Sequence, residues 1–154
     1  MSAFASITPQ KAALNKFATK GTFASAVTTA LVSNGAGTPT YGAYFTMGDR
    51  DEKYLIVIRN AASASGSDSV NDNQSATIKA GNGIQGLKDI TVSDLDHGEY
   101  TYVCIESGRF KNVAENDTLK ALSSDTAGSQ VSAKGKVFIT GTSTNIEVGV
   151  FILA

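Results

Sequence analysis

Residues 53–60, KYLIVIRN, set Tyr54, Ile56 and Ile58 on one face of an extended chain and Leu55 and Val57 on the other. Apolar side chains on both faces predict a central strand covered from two sides. EYTYVCIES at 99–107 repeats the alternation, with Tyr100, Tyr102 and Cys104 opposite Val103 and Ile105. IEVGVFILA at 146–154 places Ile146, Val148, Val150 and Ile152 opposite Glu147, Gly149, Phe151 and Leu153. Shorter period-two runs occur at TFASAVTTALV (22–32), TPTYGAYFTM (38–47), ATIKA (76–80), DITVSDL (89–95) and KGKVFITG (134–141). The first two, separated by Ser33-Asn34-Gly35, read as a hairpin.

Polar and glycine-rich segments separate these runs. AASASGSDSVNDNQS (61–75) carries no periodicity and predicts an exposed loop. Asp117 to Leu122 predicts a turn or two of helix with Asp117 as N-cap. Helical spacing near the start rests on Thr8 as N-cap, Pro9 at the first helical position, then Ala13, Leu14 and Phe17. A short helix and an extended arm both fit that stretch, and the arm is the preferred reading. Eight or so short strands without helices long enough for parallel crossovers predict an all-β fold: a single antiparallel β-sandwich with jelly-roll or immunoglobulin-like wiring. The expected division is an N-terminal arm at 1–20 and a sandwich domain at 21–154.

Composition narrows the function classes. At 154 residues the chain can bury a core without staples. Thirteen basic and fourteen acidic residues give a net charge of −1 with no block of like charge. Neither a nucleic-acid partner nor a membrane partner is expected, since both want a basic stripe. The first residues, MSAFASITPQKAALNKF, lack the charge and apolar run of a signal peptide, which predicts an unprocessed product of the cytoplasm. The lone cysteine, Cys104, excludes an internal disulfide and is expected to pack as a strand thiol.

AGNGIQG at 80–86 contains the spacing G-x-G-x-x-G that binds a dinucleotide when a strand precedes it and a helix opens on it. Here LKDITVSDLDHGEY follows, alternating with period two and turning within ten residues or so, so no helix receives the phosphate. The glycines and Asn82 read instead as a loop between two strands, with Ile84 as its one packed residue. His97, the single histidine, sits in a turn and has no nucleophile or ligand set nominated beside it. Asp94, Asp96 and Glu99 around Gly98 are similar to a calcium loop but lack its full oxygen series. No catalytic residue, cofactor or metal is expected. A cupin-like enzyme would want several histidines, and paired carboxylates for glycoside chemistry have no nominated pair.

SGRFKN at 107–112 is the most unusual polar segment, with Phe110 between two cations just after a strong strand. Two readings stay open. Either Phe110 anchors an interface with Arg109 and Lys111 at its rim, or Phe110 enters the core while the cations stay wet.

Taken together, KYLIVIRN, ATIKAGNGIQGLKDITVSDLDHGEYTYV, SGRFKN and KGKVFITG resemble the pattern of small head proteins of tailed bacteriophages, over roughly residues 22–153. The residues that carry it are Asn60, Thr77 to Gly86, Gly98 and Ser107 to Lys111. The resemblance implies a capsid decoration, or cement, protein: a non-enzymatic β-sandwich, made in the host cytoplasm, that binds the outside of the major capsid protein shell, often as a homotrimer. Another virion module, in tail tube, head fibre or receptor binding, is the alternative. On this reading Phe4 and Ile7 anchor the arm on neighbours, and Arg109, Phe110 and Lys111 are interface residues. The loop at 61–75 and the insert VAENDTLKALSSDTAGSQVSA (113–133) are longer and more polar than the pattern.

Overall fold

The computed structural model describes residues 4–11, 28–35, 40–48, 52–62 and 72–153. Within these residues the chain is all-β, with eleven strands in two sheets and two short helices. The strands are β1 (Ala5–Ile7), β2 (Gln10–Lys11), β3 (Thr28–Ala30), β4 (Val32–Ser33), β5 (Tyr41–Thr46), β6 (Lys53–Asn60), β7 (Gln74–Ile78), β8 (Ile90–Leu95), β9 (Tyr100–Glu106), β10 (Lys136–Gly141) and β11 (Ile146–Leu153). Helix α1 is Ser107–Phe110 and α2 is Asp117–Leu122.

One sheet, here sheet A, has the order β1-β5-β10-β7-β8, with β4 also on β5; the other, sheet B, has the order β2-β11-β6-β9, with β3 also on β11. Among the long strands only β7 and β8 are consecutive neighbours in one sheet, so most pairing joins distant parts of the chain. The long ladders are antiparallel, as expected. The β1/β5 and β2/β11 pairs are parallel, which makes both sheets mixed. Those two pairs are made by the N-terminal segment, whose strands are too short to have shown a period in the sequence.

The two sheets share a core. Phe45, Val137, Ile139 and Ile78 from sheet A meet Ile56, Ile58, Ile146, Val148 and Val150 from sheet B, all buried. Registers such as Val137 opposite Phe45 and Val150 opposite Ile56 stack this inner face. Strand β6 lies between β11 and β9, the central place its two-faced pattern predicts. Asn60 ends it without exposure: its side-chain amide donates to Leu95 O (3.0 Å), its Oδ1 accepts from Ala62 N–H, and its own N–H reaches Glu99 O. A buried amide needs those partners, and they bind the end of β6 to the β8–β9 turn.

The outer face of sheet A is covered by the chain itself. Leu119 of α2 and Ala133 pack with Phe4 and Phe138, and Val131, Leu122 and Tyr44 close the cluster. Phe4 lies over Gly42, where an added Cβ would sit 2.4 Å from its ring. The expected arm therefore differs from the structure at 4–11. Phe4 and Ile7, expected to anchor on neighbours, are each 3% exposed and belong to this chain's own packing. Thr8 and Pro9 do not start a helix; they link β1 in sheet A to β2 in sheet B. Proline has no N–H to give to a ladder, which suits the break between two sheets. Ala13, Leu14 and Phe17 lie outside the described residues.

The expected hairpin at 22–47 is realised only in part. Val32 and Ser33 pair with Gly42 and Tyr41, whereas Thr28–Ala30 belong to β11 in the other sheet. Leu31, 1% exposed, is the crossing point and gives its N–H to Ile146 O. Helix α2 begins where the pattern placed it, but its cap is Asn116, whose side chain accepts from Leu119 N–H (3.2 Å).

Because Phe4 fills space over Gly42, Phe4→Ala is expected to lower unfolding free energy by about 3–5 kcal/mol in urea titration. A dispensable arm would show no change.

Candidate interaction surface

Strand β9 carries Tyr102, the most exposed large apolar side chain among the described residues, with Tyr100 also in solvent. Its period-two pattern turns Ile105 inward and Tyr100, Tyr102 and Cys104 outward. Tyr102 is 73% exposed and Tyr100 45%. Cys104, expected to pack, is exposed. The strand's alternation is symmetric between the two faces, so sequence marked the sets without saying which was out. Across the outer face of sheet B, Tyr102 stands beside Val57 and Gly149, and Cys104 beside Leu55 and Phe151. The next row is charged: Arg59 pairs with Glu147 (2.7 Å) and lies 5.9 Å from the Tyr100 ring centre.

At the other end of β9 a cleft of about 570 Å³ opens between the two sheets. Leu87, Ile90, Ile105 and Phe110 supply its apolar lining, and Lys53, Lys88 and Arg109 supply cations. Two acids share it. Asp89 is held by Lys79 Nζ at 2.7 Å and by Ala80 N–H at 2.7 Å, and Glu106 lies across the ladder from Lys53. Burial pushes the Asp89 carboxyl up, but the Ala80 N–H and the Lys79 ammonium outweigh it and hold it below the ordinary aspartate value. Its charge is thus committed to Lys79, and the cleft keeps a surplus of positive charge.

The glycine-rich loop braces the segment that lines this cleft at Arg109 and Phe110. Gly81 is buried, and a Cβ there would lie 2.6 Å from the carbonyl oxygens of both Phe110 and Lys111. Only glycine permits that approach. Asn82 continues the contact: its Oδ1 accepts from Val113 N–H (2.9 Å), and its amide donates to Ala114 O (3.2 Å) and Glu115 O (3.3 Å). Asn112, fully buried, donates from both its N–H and its side-chain amide to Lys136 O, and its own carbonyl accepts from Gly135 N–H. AGNG, SGRFKN and KGKVFITG are therefore one packed unit. Ile84, expected as the packed residue of the loop, is 44% exposed; the backbone at Gly81 takes that role instead.

Of the expected interface residues, Arg109 is exposed and Phe110 is 6% exposed, both lining the cleft. Phe110 thus follows the core reading. Lys111 is half-buried and its Nζ donates to Gly48 O at 2.8 Å. Gly48 N–H in turn reaches Tyr54 Oη, which donates to Glu52 (2.5 Å); burial, then the Glu52 bond, raises the Tyr54 hydroxyl above its ordinary value. Lys53, Leu87, Lys88 and Ile90 were not singled out by sequence, because they meet only when two sheets converge.

His97 is not among the residues that line this cleft; it sits in the β8–β9 turn, with its Nδ1 2.8 Å from Asp72 Oδ1. That bond, with a second from His97 N–H, lowers the Asp72 carboxyl. Among the described residues no group of three His, Cys, Asp or Glu side chains is placed to hold a metal, and no helix is long and apolar enough to cross a membrane. No family model, curated protein or solved structure matches the chain.

The Gly81 contact is with backbone, which cannot swing away, so Gly81→Ala is expected to cost about 1–3 kcal/mol in denaturant unfolding. At Gly83 the nearest atom is a Val113 methyl at 3.1 Å, so Gly83→Ala should be far milder.

Since Asp89 is lowered in the folded state, its stabilisation is present at neutral pH and fades as pH falls through that folded value, below the ordinary 3.8. Asp89→Asn is expected to melt below the parent at pH 7, with the gap closing on acidification in scanning calorimetry.

Proposed function

We propose that this chain is a structural virion protein that decorates the outside of a tailed-phage capsid and stabilises it, self-associating as a homotrimer. The observation that carries the reading is the union of the resembling motifs. AGNG packs against the backbone of Phe110 and Lys111, and Asn112 binds the start of KGKVFITG. The segments that carry the resemblance, far apart in sequence, thus meet in one spatial unit, which supports reading them together.

A cement protein acts by binding, so what it needs is a rigid body and an adhesive face. The continuous ladders from β9 through β6 to β11 supply the first. The outer face, with Tyr102 and Cys104 exposed beside half-buried Leu55, offers the second, since exposed apolar groups on one sheet favour contact with protein. The outward pair Tyr100 and Tyr102 also favours a second reading, a receptor-binding module in which aromatic rings stack on sugar. Glycan-array binding with loss in Tyr102→Ala would place that reading first.

Purified protein is expected to co-sediment with expanded, DNA-filled heads of the phage that encodes it, and to raise the temperature at which they release DNA. Failure to bind any capsid form would sink the decoration role.

A further inference from the structure

The two sheets end on opposite terms. Sheet A ends on β8, whose register against β7 breaks between Gln74 and Ala76, and whose Asp94 has a φ of 58°. Such a bulge bends an edge away from new partners. Sheet B ends on β9, which keeps unbroken register with β6 from Arg59 opposite Tyr100 to Lys53 opposite Glu106. It contains no proline, lysine or bulge, the usual means of blunting an edge.

The ladder's polarity says which amides of β9 have no ladder partner among the described residues. Ser107 N–H donates to Glu52 O at one end and Asn60 N–H to Glu99 O at the other. Inner pairing thus falls on residues 99, 101, 103, 105 and 107, and antiparallel alternation turns the N–H and C=O of Tyr100, Tyr102, Cys104 and Glu106 toward the open edge. The same edge runs into the cleft. A strand added there would point every second side chain as Ile105 points, toward Leu87, Ile90 and Phe110. Beside that floor stand Lys53, Lys88 and Arg109, none of which is in an ion pair among the described residues.

From these three features we infer that the free edge of β9 takes up an extended peptide segment of a partner protein, one with alternating apolar side chains and carboxylates at the end nearest Lys53, Lys88 and Arg109. Main-chain bonds to Tyr102, Cys104 and Glu106 give affinity, the cleft takes the apolar side chains, and the three cations set polarity along the edge. The inference deepens the decoration reading by giving the docking surface and the chemistry of what docks. A free peptide tests it, so its failure and that of the capsid role are distinguishable.

The probe is a fluorescein-labelled peptide of about ten residues, the usual length of a long strand, that alternates valine with threonine and ends in two glutamates. Fluorescence anisotropy on the full chain is expected to show saturable binding, and the bound peptide is expected to slow alkylation of Cys104. N-methylation of alternate peptide amides should abolish binding, because it removes the donors to the edge. The surface variant Lys53→Glu/Lys88→Glu/Arg109→Glu should weaken it about tenfold or more, and added salt should act in the same direction. Tyr102→Pro removes an edge-facing N–H without touching the β6 ladder and should also lose the peptide; if that variant misfolds, the N-methylated peptide still decides. No binding at all would overturn the inference, as would binding that survives both N-methylation and charge reversal. So would sedimentation showing β9 already closed by a second copy of the chain, in a dimer the peptide does not disturb.

Discussion

The close approach of the Gly81 backbone to the carbonyls of Phe110 and Lys111 is the contact on which the cleft end of the molecule depends. It fixes α1 against the loop between β7 and β8, and so joins the end of sheet B to the edge of sheet A. Phe110 is thereby held under the cleft and Arg109 beside it. The constraint is steric before it is energetic: two carbonyl oxygens occupy the space that any Cβ would need. Asn82 then replaces with directed hydrogen bonds what a larger side chain could have supplied by packing, holding the 113–115 segment from both its donors and its acceptor.

From that junction the chain treats its two outer faces differently. The insert after α1 returns across sheet A and, with Phe4, covers Phe138 and Tyr44. The N-terminal segment is spent on the same task, crossing from β5 to β11 by way of Thr8 and Pro9, while Leu31 makes the matching cross between β3 and β4. Both crossings lie at the β5 and β11 side, so that side is sealed by covalent chain. The far side ends in β8 and β9, where the cleft opens. Sheet B's outer face meanwhile keeps Tyr102 in solvent next to Val57. The chain crosses between sheets on one side, and the exposed tyrosines and the cleft lie on the other.

Charge follows the same division. Arg59 and Glu147 satisfy one another in the middle of the exposed face, and Lys79 and Asp89 do so at the sheet A edge. Lys53, Lys88 and Arg109 are left around an apolar floor. In a chain whose overall charge is nearly balanced, that local surplus arises from placement and not from composition.

Strong alternation, the central place of KYLIVIRN, the turn nature of AGNGIQG and the position of α2 were legible in the residues alone. Each rests on local physics: period-two burial, glycine's freedom of backbone, and a polar residue ready to cap. Tertiary structure alone decided the rest. It put Tyr102 and Cys104 outside and Ile105 inside, because alternation divides a strand into two sets without marking the buried one. It drew Phe4 and Ile7 into this chain's own packing, because two- and three-residue strands carry no period and gain their pairing from distant β5 and β11. It made the cleft from residues at 53, 87–90, 104–106 and 109–110, since a site between sheet edges exists only after the ladders fix their order. The glycine of AGNGIQG was visible as a turn residue from the first; that its missing side chain makes room for Phe110 and Lys111 was decided only when the two loops met.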